Sequence, residues 1–309
     1  MPTILTDEDL DNDTAMGVAL EAIDASLRVK AEGLLIAPPR HVVPFAPSGS
    51  LFLTIGGTGG DNGLAGFRAY TSFDQAKHDQ VVAVWHTETG ALQGLVLGRR
   101  LGELRTGAIG GIAIKLLARE DATTIGVIGG GRQAFMQIAA AKHLRPISAV
   151  KVYSRSAENR ESFAEQVTAQ FELPAEPAES AEEAVADADI VICGTTATSP
   201  VLEAAWLKPG THVTSVGPKM AGASEIGTDL AGRARIIATD SVAQCHAYDK
   251  PFFLDGTPDA DRLMELDRIL VGESPRRESE EDITLFCSTG LAGTEVYVAA
   301  RLLAALSGG

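Results

Sequence analysis

Residues 123–134 read Thr123-Thr124-Ile125-Gly126-Val127-Ile128-Gly129-Gly130-Gly131-Arg132-Gln133-Ala134. A short apolar run leads into a glycine turn, and helical spacing follows. The turn fits the pattern G-x-G-x-x-G/A, with Gly129, Gly131 and Ala134 in the three small positions. Gly129 permits a tight turn. Gly131 lets the backbone approach a pyrophosphate, and Ala134 lets the helix pack close to the strand. The helix opens with Arg132 and Gln133. Its first N–H groups face the pyrophosphate at the positive end of the dipole. Alone, such a pattern also fits a glycine-rich turn in another α/β protein. A second strand at 149–153 stands at the expected distance, and this context favours a nicotinamide dinucleotide site.

Working outward, strand-like runs at 124–128, 149–153, 190–194, 212–215 and 235–238 are interleaved with helical ones at 133–142, 157–171 and 180–186. The alternation predicts an α/β fold with a doubly wound parallel sheet of Rossmann type. The first part of the chain has a different rhythm. Thr6 reads as the cap of a short first turn, with Asp7, Glu8 and Asp9 at its positive end, and 15–31 has helical spacing. Runs at 41–45, 51–55, 64–73, 81–87 and 91–96 are β-like, with turns at 46–49, 56–63 and Thr89-Gly90. This predicts an α+β region with a mostly antiparallel sheet. A Gly- and Ala-rich helix at 104–117 follows it, and the chain closes with a strand at 283–286 and a helix from about residue 293.

The strand at 149–153 leads into Ser154, Arg155 and Ser156, with Arg160 a turn later. NAD-selective folds usually place an acid here to accept from the ribose 2′-hydroxyl. This chain places small hydroxyls and guanidinium groups, which suit a 2′-phosphate. The expected cofactor is NADP, with NAD possible. In the alternative, Arg155 stacks on adenine and both dinucleotides bind.

The 309 residues suit two domains better than one. A net charge of −15 argues against a nucleic-acid partner, whose phosphates need clustered Lys and Arg. An acidic exterior can still hold a basic pocket for an anion. Cys193, Cys245 and Cys287 are scattered and odd in number, which suggests neither a disulfide framework nor a zinc ribbon, and no metal is expected. No apolar run reaches the roughly 20 residues that span a bilayer. The acidic start carries no signal-peptide pattern, so a soluble cytoplasmic protein without membrane partners is expected.

Several segments, in order and spacing, resemble the ornithine cyclodeaminase/mu-crystallin family of NAD(P)-dependent enzymes. They are Pro38-Pro39-Arg40, Gly66-Phe67-Arg68, Leu104-Arg105-Thr106-Gly107-Ala108, the glycine turn, Ala188-Asp189-Ile190-Val191, Val216-Gly217-Pro218-Lys219, and Phe286-Cys287-Ser288-Thr289-Gly290-Leu291-Ala292. The resemblance implies hydride transfer at the α-carbon of a small amino or imino acid. It also implies a homodimer built through the N-terminal sheet. The implied domains are a substrate and dimerisation domain at 1–119, completed by the helix 292–309, and a Rossmann domain at 120–291.

By the same resemblance, Arg40 and Arg105 grip the substrate carboxylate. Arg105 opens a small-residue helix, where a long cation suits an anion. Thr106 beside it is either a phosphate contact or the helix cap. Thr195 and Thr196 pass the cofactor ribose, Ser288 and Leu291 approach the nicotinamide, and Glu225 is structural. His41 either faces the pocket or is structural. Two positions depart from the family pattern: its pocket lysine falls at Arg68, and the cyclodeaminases' catalytic aspartate falls at Lys219. A lysine repels an ammonium group and accepts no hydrogen bond while charged, so ornithine cyclodeamination does not fit. Arg40, Arg68, Arg105 and Lys219 suggest a cationic pocket for an imino diacid such as iminosuccinate. Arg68 binds and polarises but is a poor acid–base. Lys219, near other cations, is the expected proton donor; alternatively it turns outward or touches cofactor phosphate. The expected function is an NAD(P)H-dependent imine reductase. Its rivals are a lyase of the same family, an amino-acid cyclodeaminase or hydroxyproline dehydratase, and a non-catalytic NADPH-binding protein of the mu-crystallin type.

Overall fold

A computed structural model describes residues 2–45, 47–60, 63–73 and 80–306. Positions 46, 61 and 62 of the expected turns and 307–309 of the expected C-terminal helix lie outside the described residues. The chain divides into two compact units, Met1–Ala108 with Gly290–Gly309, and Ile109–Thr289.

The first unit holds β1 (Thr3–Leu5), α1 (Asp13–Ala31), β2 (Leu35–Ile36), β3 (His41–Phe45), β4 (Gly49–Thr58), β5 (Leu64–Thr71), β6 (Gln80–His86), β7 (Leu92–Leu97), the start of α2 (Arg100–Leu117), and the C-terminal helix Thr294–Leu306. The sheet runs β1-β7-β6-β5-β4-β2, with β3 also on β4. Its pairs are antiparallel except β1 with β7. A strand therefore precedes Thr6, and the short turn expected after it is present at 7–10, although Thr6 does not cap it as an acceptor. Thr6 N and Oγ1 both donate to Asp9 Oδ2, and α1 is capped later by Asn12 Oδ1, which accepts from Ala15 N at 2.9 Å.

Register fixes two faces. Thr54, Arg68, Val82, Val96 and Leu5 line up across the sheet, and Ile55, Phe67, Ala83, Leu95 and Ile4 form the neighbouring row on the opposite face. The C-terminal helix packs on the Arg68 face, where Gly66 and Gly94 leave room for Val296 and Leu303. The start of α2 also corrects an expectation. The helix begins at Arg100, whose N–H donates to Asp7 Oδ1 at 2.8 Å, so Arg105 lies within it. Thr106 is not a cap: its Oγ1 donates to Gly102 O at 2.8 Å inside the helix. The cap comes from a carboxylate far away in sequence, which local spacing does not reveal.

The second unit begins with the rest of α2, then β8 (Thr124–Ile128), α3 (Arg132–Leu144), β9 (Ala149–Tyr153), α4 (Ala157–Phe171), β10 (Ala175–Pro177), α5 (Ala181–Val185), β11 (Ile190–Cys193) and β12 (His212–Ser215). It continues through β13 (Lys219–Met220), β14 (Ala223–Ser224), α6 (Thr228–Arg233), β15 (Ile236–Thr239), α7 (Val242–Cys245), β16 (Leu263–Glu265), α8 (Leu266–Leu270) and β17 (Thr284–Cys287). Its main sheet has the order β10-β9-β8-β11-β12-β17-β15-β16, with every pair parallel. The first six reproduce the 3-2-1-4-5-6 order of a dinucleotide-binding sheet, whose direction reverses between β8 and β11. β11, β12, β15 and β17 are buried along their whole length, as parallel strands covered on both faces are.

Arginines close the C-terminal end of α2 in place of a glycine cap. Arg145 donates to the carbonyls of Ile114, Lys115 and Ala118, and Arg277 to that of Leu117. On β12, His212 is fully buried between Thr284 Oγ1 and Thr214 Oγ1. Burial, with Arg277 and Arg145 adding to it, pushes its pKa down to about 3, which keeps the ring neutral. The three cysteines are free and buried, and burial raises their thiols. Among the described residues no helix is long and apolar enough to cross a membrane, and no cluster of His, Cys, Asp or Glu could hold a metal.

Candidate dinucleotide and substrate sites

The glycine turn sits at the C-terminal end of β8, at the point where strand order reverses. Gly129 has φ +101°, and a Cβ there would lie 2.6 Å from Gly194 O. It is glycine for both reasons. Gly131 differs. Its backbone is extended (φ −110°), and a Cβ there would meet only Gly194 O, at 3.8 Å. The space it leaves is not filled by protein. Gly131 is the N-cap of α3 and, having no side chain, makes no cap hydrogen bond to the first turn. That is the arrangement that suits a pyrophosphate. Ala134 is fully buried, and a Cβ at Gly194 would lie 3.2 Å from the Ala134 Cβ. The residues present thus fit a dinucleotide.

At the end of β9, Arg155 is exposed, while Ser156 Oγ caps α4 by accepting from Asn159 N at 3.3 Å. Arg160 is folded back: it donates to Ser154 O at 3.4 Å and pairs with the exposed Glu179 at 2.7 Å. Of the basic groups expected here, Arg155 reaches solvent and Arg160 is already engaged. No carboxylate stands at 154–156.

The loops after β11 and β12 are tied by one buried acid. Glu225 Oε2 accepts from Thr195 N and Oγ1, both at 2.8 Å, and Oε1 accepts from Ser215 Oγ at 2.7 Å and Gly217 N at 2.6 Å. Thr196 is exposed beside them. Lys219 is buried and donates from Nζ to Ser215 O at 3.2 Å and Gly217 O at 2.5 Å. Two of its three N–H bonds are therefore spent on main-chain carbonyls. At the end of β17, Ser288 Oγ donates to Asp240 Oδ2 at 3.5 Å, and Thr289 N and Oγ1 donate to Asp240 Oδ1 at 2.8 Å. Asp240, which the sequence did not single out, holds the segment where Ser288 sits.

In the first unit the arginines come together around residues that the sequence reading passed over. Arg68 Nη1 and Arg105 Nη2 each lie 3.2 Å from Glu295 Oε1. All three side chains are buried. Burial raises the Glu295 carboxyl, but Arg105 and Arg68 outweigh it and hold it below the ordinary range. Burial and neighbouring Arg105 lower Arg68 from its usual value. Arg68 also donates from Nε and Nη2 to Gln80 Oε1 and lies 4.3 Å over the ring of Tyr70. Tyr70 stacks on its cross-strand partner Phe52, with centroids 4.8 Å apart. Its hydroxyl accepts from Arg40 Nη1 at 2.7 Å. Arg40 is half-buried, whereas His41 next to it is exposed. Arg68 and Arg105 thus bring two positive charges to one carboxylate, Glu295. A signal for Glu295 exists: it is an acid at the start of an otherwise apolar C-terminal helix.

A family model, "Ornithine cyclodeaminase/mu-crystallin family", matches residues 1–305. The chain belongs to this family. Among its relatives is an alanine dehydrogenase of Archaeoglobus fulgidus, 29% identical over 308 residues and covering 96% of this chain and 92% of the relative. Family structures superpose along nearly the whole length. A Thermococcus litoralis Delta(1)-pyrroline-2-carboxylate reductase, solved with NADH and L-proline, gives a TM-score of 0.88 at 26% identity, covering 97% of this chain and 96% of that one. An iminosuccinate reductase of Paracoccus denitrificans, solved with NAD+, gives 0.86 at 26%, covering 99% and 96%.

Proposed function

We propose that this family member is an NAD(P)H-dependent imine reductase, an amino-acid dehydrogenase in reverse, acting at the α-carbon of a small imino acid. The observation that carries this reading is the arginine cluster of the first unit: Arg68 and Arg105 share the single carboxylate of Glu295, and Arg40 joins them through Tyr70. Those charges match an imino diacid such as iminosuccinate. Arg40 and Arg105 take a carboxylate through paired charge-assisted bonds, which fixes the α-carbon. Arg68 adds charge and, being always protonated, serves as a binder and not an acid. By the family resemblance Lys219 takes the position of the cyclodeaminases' aspartate, and its cation disfavours a substrate ammonium, which argues against the lyase rival. By their names, the relatives above are a dehydrogenase of alanine and reductases of pyrroline-2-carboxylate and iminosuccinate, which supports this reading. Gly129, Gly131, Arg132, Gln133, Thr195, Thr196 and Ser288 are the proposed dinucleotide contacts, with Thr106 as a further one. When bound, the dihydronicotinamide supplies the hydride.

For the cofactor we propose NADP in preference to NAD, with Arg155 as the 2′-phosphate group. The reading rests on an exposed guanidinium and small hydroxyls at Ser154 and Ser156 where an acid would mark NAD.

We further propose a homodimer through the outer face of the first sheet. The row Ile55, Phe67, Ala83, Leu95, Ile4 and the next, His41, Leu53, Ala69, Val81, Leu97, are apolar apart from His41. A solvated antiparallel face alternates to polar residues, and this one does not.

The test is a spectrophotometric screen of keto acids with ammonia or methylamine, following loss of the NADPH band. Oxaloacetate and pyruvate come first. Oxidation that depends on both keto acid and amine is expected, fastest with oxaloacetate. Tight NADPH binding without turnover across the panel would favour the non-catalytic rival.

A further inference from the structure

β11, β12 and β17 are the half of the dinucleotide sheet beyond the point where strand order reverses. The glycine turn and the strand end at 154–156 belong to the adenosine half of such a sheet, which leaves this second half for the nicotinamide nucleoside. Two buried charges of opposite sign meet there on a single turn, Ser215-Val216-Gly217. Glu225 takes the turn's donors: its Oε1 accepts from Ser215 Oγ and Gly217 N. Lys219 takes its acceptors: Nζ donates to Ser215 O and Gly217 O. A short hairpin delivers both. β13 and β14 pair Lys219 with Ser224, and Glu225 N donates to Pro218 O at 3.0 Å, so the two ends of the hairpin reach back to the turn before it. Gly217 is glycine because the carboxylate lies against it: a Cβ there would be 2.4 Å from both Glu225 Oε2 and Thr195 O. All of these residues belong to the second unit.

We propose that Glu225 and Lys219 act together as positioning residues, holding the turn 215–217 and its neighbours in the shape that receives the nicotinamide nucleoside. This rests on the dinucleotide reading above. The clamp reaches three strand ends. After β11, Glu225 Oε2 accepts from Thr195 N and Oγ1. Thr195 in turn lies against the glycine turn, where a Cβ at Gly129 would be 2.8 Å from its Cγ2. After β17, Ser288 N donates to Ser215 O at 3.0 Å, the same oxygen that Lys219 holds. A turn fixed in advance is not ordered at the ligand's expense, whereas a loose one must be ordered on binding. Neither charge needs to touch the ligand, because each acts through the main chain it holds.

The test compares NADPH with adenosine 2′,5′-bisphosphate, its adenosine half, by calorimetry on wild type, Glu225→Gln, Lys219→Met and the double variant. NADH and AMP replace them if wild type prefers NADH. Melting temperatures identify the variants that fold, and Gly217→Ala, which crowds the carboxylate without removing a charge, stands in for Glu225→Gln if that one does not. Each single variant is expected to lose about tenfold or more in NADPH affinity, the worth of a charged hydrogen bond, and to keep the bisphosphate affinity within about twofold. The double variant is expected to lose little more than either single one, because removing one side already frees the turn. Equal losses for both ligands would mean a general effect on the fold and would overturn the proposal. So would losses that multiply in the double variant, which would make the two residues independent. Unchanged NADPH affinity in the single variants would overturn it too; joined by a collapse of kcat in Lys219→Met, it would make Lys219 a proton donor. A wild type that binds neither dinucleotide removes the dinucleotide reading, and this proposal with it.

Discussion

Arg68 Nη1 lies 3.2 Å from Glu295 Oε1, and both side chains are buried. One helix start and one strand thereby share a charge pair that also engages Arg105. Breaking such a pair leaves a buried cation uncompensated, at about 3–5 kcal/mol. Glu295→Ala should lose stability on that order in a urea titration, and Glu295→Gln clearly less, because the amide oxygen can still accept. Equal stability of Glu295→Ala and wild type would show that the pair does not hold this unit together.

The two glycines of the dinucleotide turn should fail differently. Gly129→Ala forces a side chain onto a φ of +101° and against Gly194 O, so it should destabilise by on the order of 1–3 kcal/mol. Gly131→Val meets no such obstacle and should melt like wild type. Its side chain fills the space proposed for the pyrophosphate, so dinucleotide affinity should fall at least about tenfold. Calorimetry and fluorescence titration separate the two effects. Normal affinity in Gly131→Val would place the pyrophosphate elsewhere.

Arg155 is exposed and is the test of cofactor choice. Arg155→Ala should weaken NADPH binding about tenfold and leave NADH binding nearly unchanged, since only NADPH carries the 2′-phosphate. A parallel loss for both would mean that Arg155 stacks on adenine. Tighter NADH than NADPH binding by wild type would reverse the proposed preference.

Acid should destabilise the second unit through two buried groups. His212 titrates at about 3 when folded against an ordinary 6.5, so the unfolded chain binds the proton first as pH falls. Its contribution is full above 6.5 and is lost at up to about 1.4 kcal/mol per pH unit between there and 3. Burial raises the Asp189 carboxyl, but bonds from Lys208, Thr123 and Thr124 outweigh it and hold it at about 2. That contribution is lost only as pH falls from 3.8 toward 2. Urea midpoints from pH 7 to 4 should fall in wild type. In His212→Gln they should start lower and change less, and equal slopes would remove His212 from the acid response.

The parallel sheet could be read from local signals, because each strand and helix there carries its own period and the glycine turn announces the crossover. Even so, β10 and β16 span only three residues each and escaped notice. The antiparallel unit was harder. β1 is three residues long and is defined by pairing with β7, more than eighty residues away, and α2 is capped by Asp7 across a similar distance. Neither partner is visible in a local window. The same holds for the site. Arg40, Arg68 and Arg105 could be picked out by family resemblance, whereas Tyr70 and Glu295 acquire meaning only when register and packing bring them to those guanidinium groups.

The most direct measurement uses NADPH deuterated at the transferable C4 position, with a keto acid and ammonia, and mass spectrometry of the product. The expected result is an amino acid carrying deuterium at its α-carbon, formed in equal amount to NADP+. Substrate losing ammonia or water with no net change in the dinucleotide, or no product at all beside tight NADPH binding, would contradict imine reduction as the activity of this protein.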